Sequence, residues 1–265
     1  AMKRRSFLSS TGALFYLPGS LSSVSASDLK RRKKIAFLGT EVREHSHAQH
    51  FLDRLALGYG WKGKWQNPRL DIASVYIDQF PEKNDLGHQR IKKYGLKLYP
   101  SVESALTLGG KELAVDGVVI IAEHGDYPSN VKGQRLYPRY DWFKKCVSVF
   151  ERSNRGVPVF NDKHLSTTWE ECMEMVDDAK RLKFPFFAGS SLPVTRRMPS
   201  IDIPHDVPMN ESVCVAYGGV DSYDFHALET AQCMSERRKG GEVGISQLHA
   251  IRGKRVWEKL ENKNH

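Results

Sequence analysis

Between Asp116 and Glu123 the chain runs Gly-Val-Val-Ile-Ile-Ala with no polar residue. A β-branched run this short reads as a strand. Without alternation of polar and apolar positions it is buried on both faces, the condition of strands in a parallel sheet covered by helices on each side. Ile35-Ala36-Phe37-Leu38-Gly39 has the same form. Parallel neighbours need crossovers, so helical segments must alternate with such strands. Ser46 and Gln49 make a capping box ahead of an apolar face, Phe51, Leu52, Leu55 and Ala56, that stops at Gly58 and Gly60. The tryptophan-bearing stretch from Trp61 to Pro68 reads as a loop. Leu70 to Ile77 is a second strand closing at Asp78, and Glu82 to Tyr94 is a polar helix halted before Gly95. Leu96 to Tyr99 is a short third strand, and Ser101 caps a helix to Leu108. Arg139 to Arg152 is helical, Val157 to Phe160 strand, Thr168 to Arg181 helical and Phe184 to Ala188 strand. The predicted fold class is α/β, a doubly wound parallel sheet over residues 35–190.

Pro193, Pro199, Pro204 and Pro208 then mark a shift in composition. Beyond it, Val213 to Tyr217 reads as strand, Tyr223 to Glu236 as helix and Val243 to Ile251 as strand, the start of an incomplete α/β second domain over 191–265. A half-built sheet exposes an edge and an apolar face, so a homo-oligomer is expected. With 40% hydrophobic and 27% charged residues, disorder and collagen-like classes are excluded. The four cysteines stand at 146, 172, 214 and 233, with no CxxC pair for a zinc ribbon or dithiol motif.

The net charge is +9, but residues 1–34 hold eight basic side chains against Asp28 alone, leaving +2 for the remainder. That distribution is no footprint for nucleic acid, and none is expected as a partner. Residues 1–26 have a signal-peptide layout: Lys3-Arg4-Arg5, a short apolar stretch from Gly12 to Leu17, and Val24-Ser25-Ala26. Arg4-Arg5-Ser6-Phe7-Leu8 resembles the twin-arginine export signal. Cleavage after Ala26 and a periplasmic location are expected, with 27–34 as a basic linker. The apolar stretch is far below the roughly 20 residues that span a bilayer. No stable membrane anchor should remain after processing.

In a doubly wound sheet, ligands bind beyond the carboxyl ends of the strands. Those positions are polar here: Gly39-Thr40-Glu41-Val42-Arg43-Glu44-His45-Ser46-His47-Ala48, then Asp78, then Glu123-His124-Gly125-Asp126-Tyr127, then Asn161-Asp162-Lys163-His164. The order of elements over residues 33–236 resembles the Gfo/Idh/MocA family of glucose–fructose oxidoreductases and inositol dehydrogenases. Gly39 and His47-Ala48 fit the register of that family's first turn, Gly-x-Gly-x-x-Gly-x-x-His-Ala. Asp162-Lys163-His164 stands where the family carries Glu-Lys-Pro. The resemblance implies a Rossmann domain binding NAD or NADP and a following α/β domain that presents a carbohydrate or polyol. It implies that Lys163 lies near the nicotinamide and the reacting hydroxyl. Gly39, Thr40, Arg43, His124 and Asp162 would then line the cofactor. Asp78 is placed like the acid that binds the adenosine ribose, and its charge favours NAD over NADP.

Two fingerprint glycines are replaced in this register, by Glu41 and Glu44, which add bulk and like charge where a pyrophosphate would approach. Gly218 to His226 resembles the family segment that brings an aspartate and a histidine to the substrate. His226 is the candidate base for a hydroxyl proton and Asp221 or Asp224 its partner, although neither lies one helical turn from it. The expected activity is hydride transfer between NAD(P) and a sugar, polyol or glycoside hydroxyl. Two other readings share the fold. His45, His47, His50, His124, Asp126, Asp162 and His164 could serve a metal-dependent hydrolase or lyase, although no recognised ligand motif is present and no metal is assigned. Trp61, Trp65, Tyr127, Tyr137 and Trp142 could serve a carbohydrate-binding protein without catalysis.

Overall fold

The computed structural model describes residues 31–261. The leader, 1–26, and the first part of the basic linker lie outside the described residues. The elements in order are β1 (Lys33–Gly39), α1 (His47–Leu57), β2 (Tyr59–Trp61), β3 (Lys64–Gln66), β4 (Leu70–Ile77), α2 (Gly87–Tyr94), α3 (Val102–Thr107) and β5 (Gly117–Ile121). There follow α4 (Arg139–Arg152), β6 (Val159–Asp162), α5 (Trp169–Arg181), β7 (Phe186–Gly189), a 3-10 turn (Leu192–Val194), α6 (Val220–Ser235) and α7 (Lys254–Glu261).

The central sheet has the order β4-β1-β5-β6-β7, all parallel. Outside β4 the expected third strand is reduced to one bridge, Val75 to Leu98, held by Val75 N–H to the Lys97 carbonyl (2.9 Å) and Tyr99 N–H to the Val75 carbonyl (2.8 Å). Pro100 follows and has no N–H with which to extend the ladder. Counting this bridge, the strands lie in the Rossmann order, with the reversal between β1 and β5. Period-2 alternation along β1 and β5 divides the core. Ala36, Leu38, Val118 and Ile120 pack with α3, α4 and α5, whereas Phe37 and Ile121 pack with Val42, Ala48, Leu52, Val75 and Ile77.

The stretch predicted as a loop after α1 contains the β2–β3 hairpin, with Trp61 opposite Lys64. Its turn residues Lys62 and Gly63 have φ of 49° and 73°, the two positive angles that match a two-residue turn to strand twist. Lys-Gly lacks the asparagine or aspartate that signals such turns. The basic linker is used structurally: Arg31 pairs with Asp116 at 2.9 Å and Arg32 with Asp71 at 2.6 Å. All four cysteines are free.

The chain divides into two compact units. One contains described residues 31–196 together with Cys214–Thr230; the other contains Arg197–Val213 and described residues 231–261. In the second unit, Lys239 N–H donates to the Val207 carbonyl (2.8 Å), and Arg237 reaches the Ile203 carbonyl. The strands expected at 213–217 and 243–251 do not form. Among the described residues no neighbouring strand pairs with them, and Val213, Val215, Tyr217, Val243, Ile245 and Leu248 are exposed. Among the described residues, no helix is long and apolar enough to cross a membrane.

Candidate active site at the carboxyl rim of the sheet

The loop from Gly39 to α1 is fixed before it reaches any ligand. Gly39 is tight: a Cβ there would lie 3.1 Å from Phe37 Cε1. Thr40 is fully buried, and its Oγ1 accepts from the N–H groups of Glu123 (3.3 Å) and His124 (3.4 Å), tying the end of β5 to the end of β1. Ser46 caps α1 by accepting from Gln49 N–H at 3.1 Å. The reciprocal half of the expected box is displaced by one residue, since Gln49 Oε1 accepts from His45 N–H at 2.8 Å.

At the first turn of α1, the His47 backbone N–H donates to Glu123 Oε1 at 2.5 Å. A helix N-terminus favours an anion there, and the chain supplies its own. The Lys163 ammonium contacts the other oxygen of Glu123 and lies 3.0 Å from Asp162 Oδ2 and 3.1 Å from His47 Nδ1. His47 Nδ1 is itself 2.9 Å from Asp162 Oδ2. Lys163 therefore stands where β6 ends, between two buried carboxylates and an imidazole. Its backbone adopts φ 67°, the left-handed region that few non-glycine residues enter.

Around this centre the hydrogen bonds define protonation. Arginine can only donate, so His124 Nδ1 accepts from Arg43 Nη2 (2.9 Å), which leaves its Nε2–H facing Glu123 Oε1 at 3.2 Å. Arg43 also pairs with the buried Glu41 at 3.0 Å. In the same way His164 Nε2 accepts from Arg139 Nη1 at 2.9 Å. Burial first, and then the Arg139 charge, pushes His164 down to about 3. Burial would raise the Glu123 carboxyl. The hydrogen bond from His124 and the charge of Lys163 overcome it and hold Glu123 well below the usual carboxylate range. Asp162 is depressed likewise, with burial opposed by the His47 hydrogen bond and by Lys163.

On the β4 side, Asp78 borders a cavity of ≈ 400 Å³ lined by Tyr76, Phe80, Leu98 and Tyr99. Both of its oxygens already accept, from Tyr76 OH (2.6 Å) and Tyr127 OH (2.5 Å). Burial first, then the Asp78 hydrogen bond, raises both tyrosines. Asp78 N–H donates to the Gly39 carbonyl at 3.0 Å, His124 N–H to Thr40 Oγ1, and the Lys163 ammonium to Glu123, so the three stand at the carboxyl ends of neighbouring strands.

The expected Asp221–His226 pair is not formed. Asp221 Oδ2 accepts from Arg135 N–H at 3.1 Å, while His226 Nδ1 lies 2.6 Å from Ser190 Oγ. Asp221 stands in the first turn of α6, where its carboxylate turns to the 135 loop instead of along the helix. The histidine set divides as well: His47, His124 and His164 face the rim, whereas the His45 side chain is exposed and its ring lies 6.5 Å from that of His50. Nor do the aromatics form one face. Trp142 is buried in the core, and Trp61 and Trp65 are 60% and 61% exposed on the hairpin. Sequence reasoning placed Glu123 at the rim but gave it no role, although an acid directly after a doubly buried strand was the available signal. It missed Ser190, which follows the glycine closing β7.

The residues do not fit a dinucleotide in the usual Rossmann pose. That pose sets the pyrophosphate against the first N–H groups of the helix after β1, with glycines allowing close approach. Here Glu123 takes the N–H of His47, and the buried Glu41 stands at the second glycine position. By geometry His47, Glu123 and Asp162 could also hold a metal ion, each offering a ligand atom within 4.8 Å of the others. A metal would have to displace the Lys163 ammonium, which touches all three.

No protein-family model matches the chain, and no curated protein matches it. Solved structures do. GenD2 from gentamicin A biosynthesis, in complex with NAD, is 12% identical, covering 78% of this chain and 54% of that one with a TM-score of 0.47. The apo scyllo-inositol dehydrogenase of Lactobacillus casei is 10% identical over 63% of this chain and 38% of that one, with a TM-score of 0.42. The WlbA dehydrogenase of Chromobacterium violaceum, in complex with NADH and UDP-GlcNAcA, is 18% identical over 60% and 35%, with a TM-score of 0.36. The chain spans only 35% to 56% of the lengths of such structures, among them an NAD-binding protein from Listeria innocua and a Synechocystis biliverdin reductase.

Proposed function

We propose that the rim centred on Lys163 binds a sugar-like, polyhydroxylated small molecule and moves a proton at one of its hydroxyls. The observation that carries this reading is the contact of one ammonium with Glu123, Asp162 and His47 at the end of β6. A hydroxyl entering there meets a donor in Lys163 and acceptors in the carboxylates, and His47 can relay between them. Proton removal from a hydroxyl is one half of alcohol oxidation. The chain's own residues supply that half. The hydride half, transfer to NAD, would need the nucleotide to bind in a pose that leaves Glu123 on α1. Glu123 on the first N–H of α1 and the buried Glu41 oppose the usual pose, so only the proton step is proposed for this chain.

Calorimetric titration with a panel of inositols, hexoses and glycosides tests the main reading. Saturable binding to the wild type, lost in a folded Lys163→Met variant, is the expected result. Binding that survives the substitution, or no binding across the panel, would overturn it. Export by the twin-arginine route belongs to the same proposal and is checked by fractionating cells that produce the chain with its 1–26 segment.

A further inference from the structure

The structure places a serine and a histidine in hydrogen-bond contact where the last strand of the sheet ends. Ser190 follows Gly189, whose φ of 139° turns the chain sharply off β7. The side chain of Ser190 is largely buried, and its Oγ lies 2.6 Å from His226 Nδ1. Leu192 N–H donates to the same Oγ at 3.1 Å and occupies one of its lone pairs. That bond holds the oxygen beside the imidazole, and with Nδ1 as the ring's acceptor nitrogen the hydroxyl proton points at it. His226 comes from α6, and its ring is flanked by Tyr223 and Phe225, with Phe225 set edge-on to His164. Burial first, then Lys163 and His47, lowers His226, so the ring is neutral at physiological pH and able to accept a proton.

We propose that Ser190 and His226 form a nucleophile–base pair that acts on small carboxylic esters, an activity distinct from proton transfer at Lys163. Ser190 Oγ forms a bond to the ester carbonyl carbon while His226 Nδ1 takes the hydroxyl proton. Collapse of the adduct breaks the bond to the alcohol oxygen, and the alcohol leaves with the proton from His226. Water, giving its proton to His226, then attacks the acyl-serine. The carboxylic acid departs and the proton returns to Ser190. No oxidant, reductant or metal enters the balance.

The test is covalent. The full chain is treated with a fluorophosphonate probe and digested, and the modified peptide is sequenced by mass spectrometry; hydrolysis of p-nitrophenyl acetate is followed in parallel. The proposal expects an adduct on Ser190, none in Ser190→Ala, and labelling at least about 100-fold slower in His226→Gln. Ester hydrolysis should fall with the labelling and follow the titration of one group as pH decreases. Far-UV circular dichroism and melting temperature establish that each variant is folded. A wild-type chain that takes no probe at Ser190, or labelling indifferent to His226→Gln in a folded variant, would overturn the proposal. A merely structural serine–histidine tie would lower melting temperature in both variants without any adduct in the wild type. Ser190→Ala supplies the separation from the preceding reading, since it should abolish labelling and leave sugar binding at Lys163 unchanged.

Discussion

Lys163 shows how much of this site is decided by one side chain. Its ammonium pairs with two buried carboxylates, so replacing it with methionine removes the cation that both face at the end of the sheet. Breaking a buried pair in this way costs about 3–5 kcal/mol, and urea unfolding should show a loss of that order for Lys163→Met. Adding Glu123→Gln to that variant should recover part of it, because one of the stranded charges is gone. His164 gives a separate pH signature. Its native value of about 3 lies below the ordinary 6.5, so the unfolded chain binds a proton that the native chain refuses. Stability must therefore fall as pH drops from about 6.5 towards 3, by about 1–2 kcal/mol between pH 6.5 and pH 5. The depressed carboxylates of Glu123 and Asp162 act in a lower window, losing their contribution only below about pH 4.5. Unfolding measured at both pH values should show the slope in wild type and a flatter one in His164→Asn; equal slopes would remove His164 as its source. Lys163, Asp162 and His124 were legible from their places after apolar strands. The pairing of His226 with Ser190 was not, because a contact across 36 positions leaves no local pattern.

At the scale of elements, type was legible and boundaries less so. The doubly buried strands and the capped helices announce themselves through run length and cap residues. α2 starts at Gly87, later than expected, because the Asp85 carboxylate accepts from Gly87 N–H (2.6 Å) and His88 N–H (3.2 Å) and closes a turn first. The β2–β3 hairpin escaped because its positive angles fall on Lys62 and Gly63. Ser46 is the cap on which the whole rim rests, since it orients the first N–H groups of α1. Ser46→Ala should cost about 1 kcal/mol in chemical unfolding. Because the same substitution loosens the N–H that holds Glu123, it should also weaken sugar binding; an unchanged affinity would detach the cap from the site.

Across the whole molecule, local stability follows burial. The five-stranded sheet has helices packed on both faces, whereas most of residues 197–219 and 240–253 is exposed chain without regular pairing. Limited trypsin digestion should cut at Arg196 and at Arg252 or Lys254 before any site within 35–190, as mass spectrometry of the first fragments would show. The alternating apolar residues at 213–217 and 243–251 carry a strand signal in sequence, but a strand needs a neighbour, and sequence does not say where one is. The same limit applies to the crevice between β1 and β5: the order of elements pointed to a dinucleotide, while the decisive group, Glu123, lies 76 positions from the N–H it occupies. Fluorescence titration of NAD, on the wild type and on a Glu41→Gly/Glu123→Gln variant, decides whether that carboxylate closes the crevice. The wild type should show no saturation at millimolar NAD, and the variant should bind saturably. Micromolar saturation of the wild type would contradict that closure.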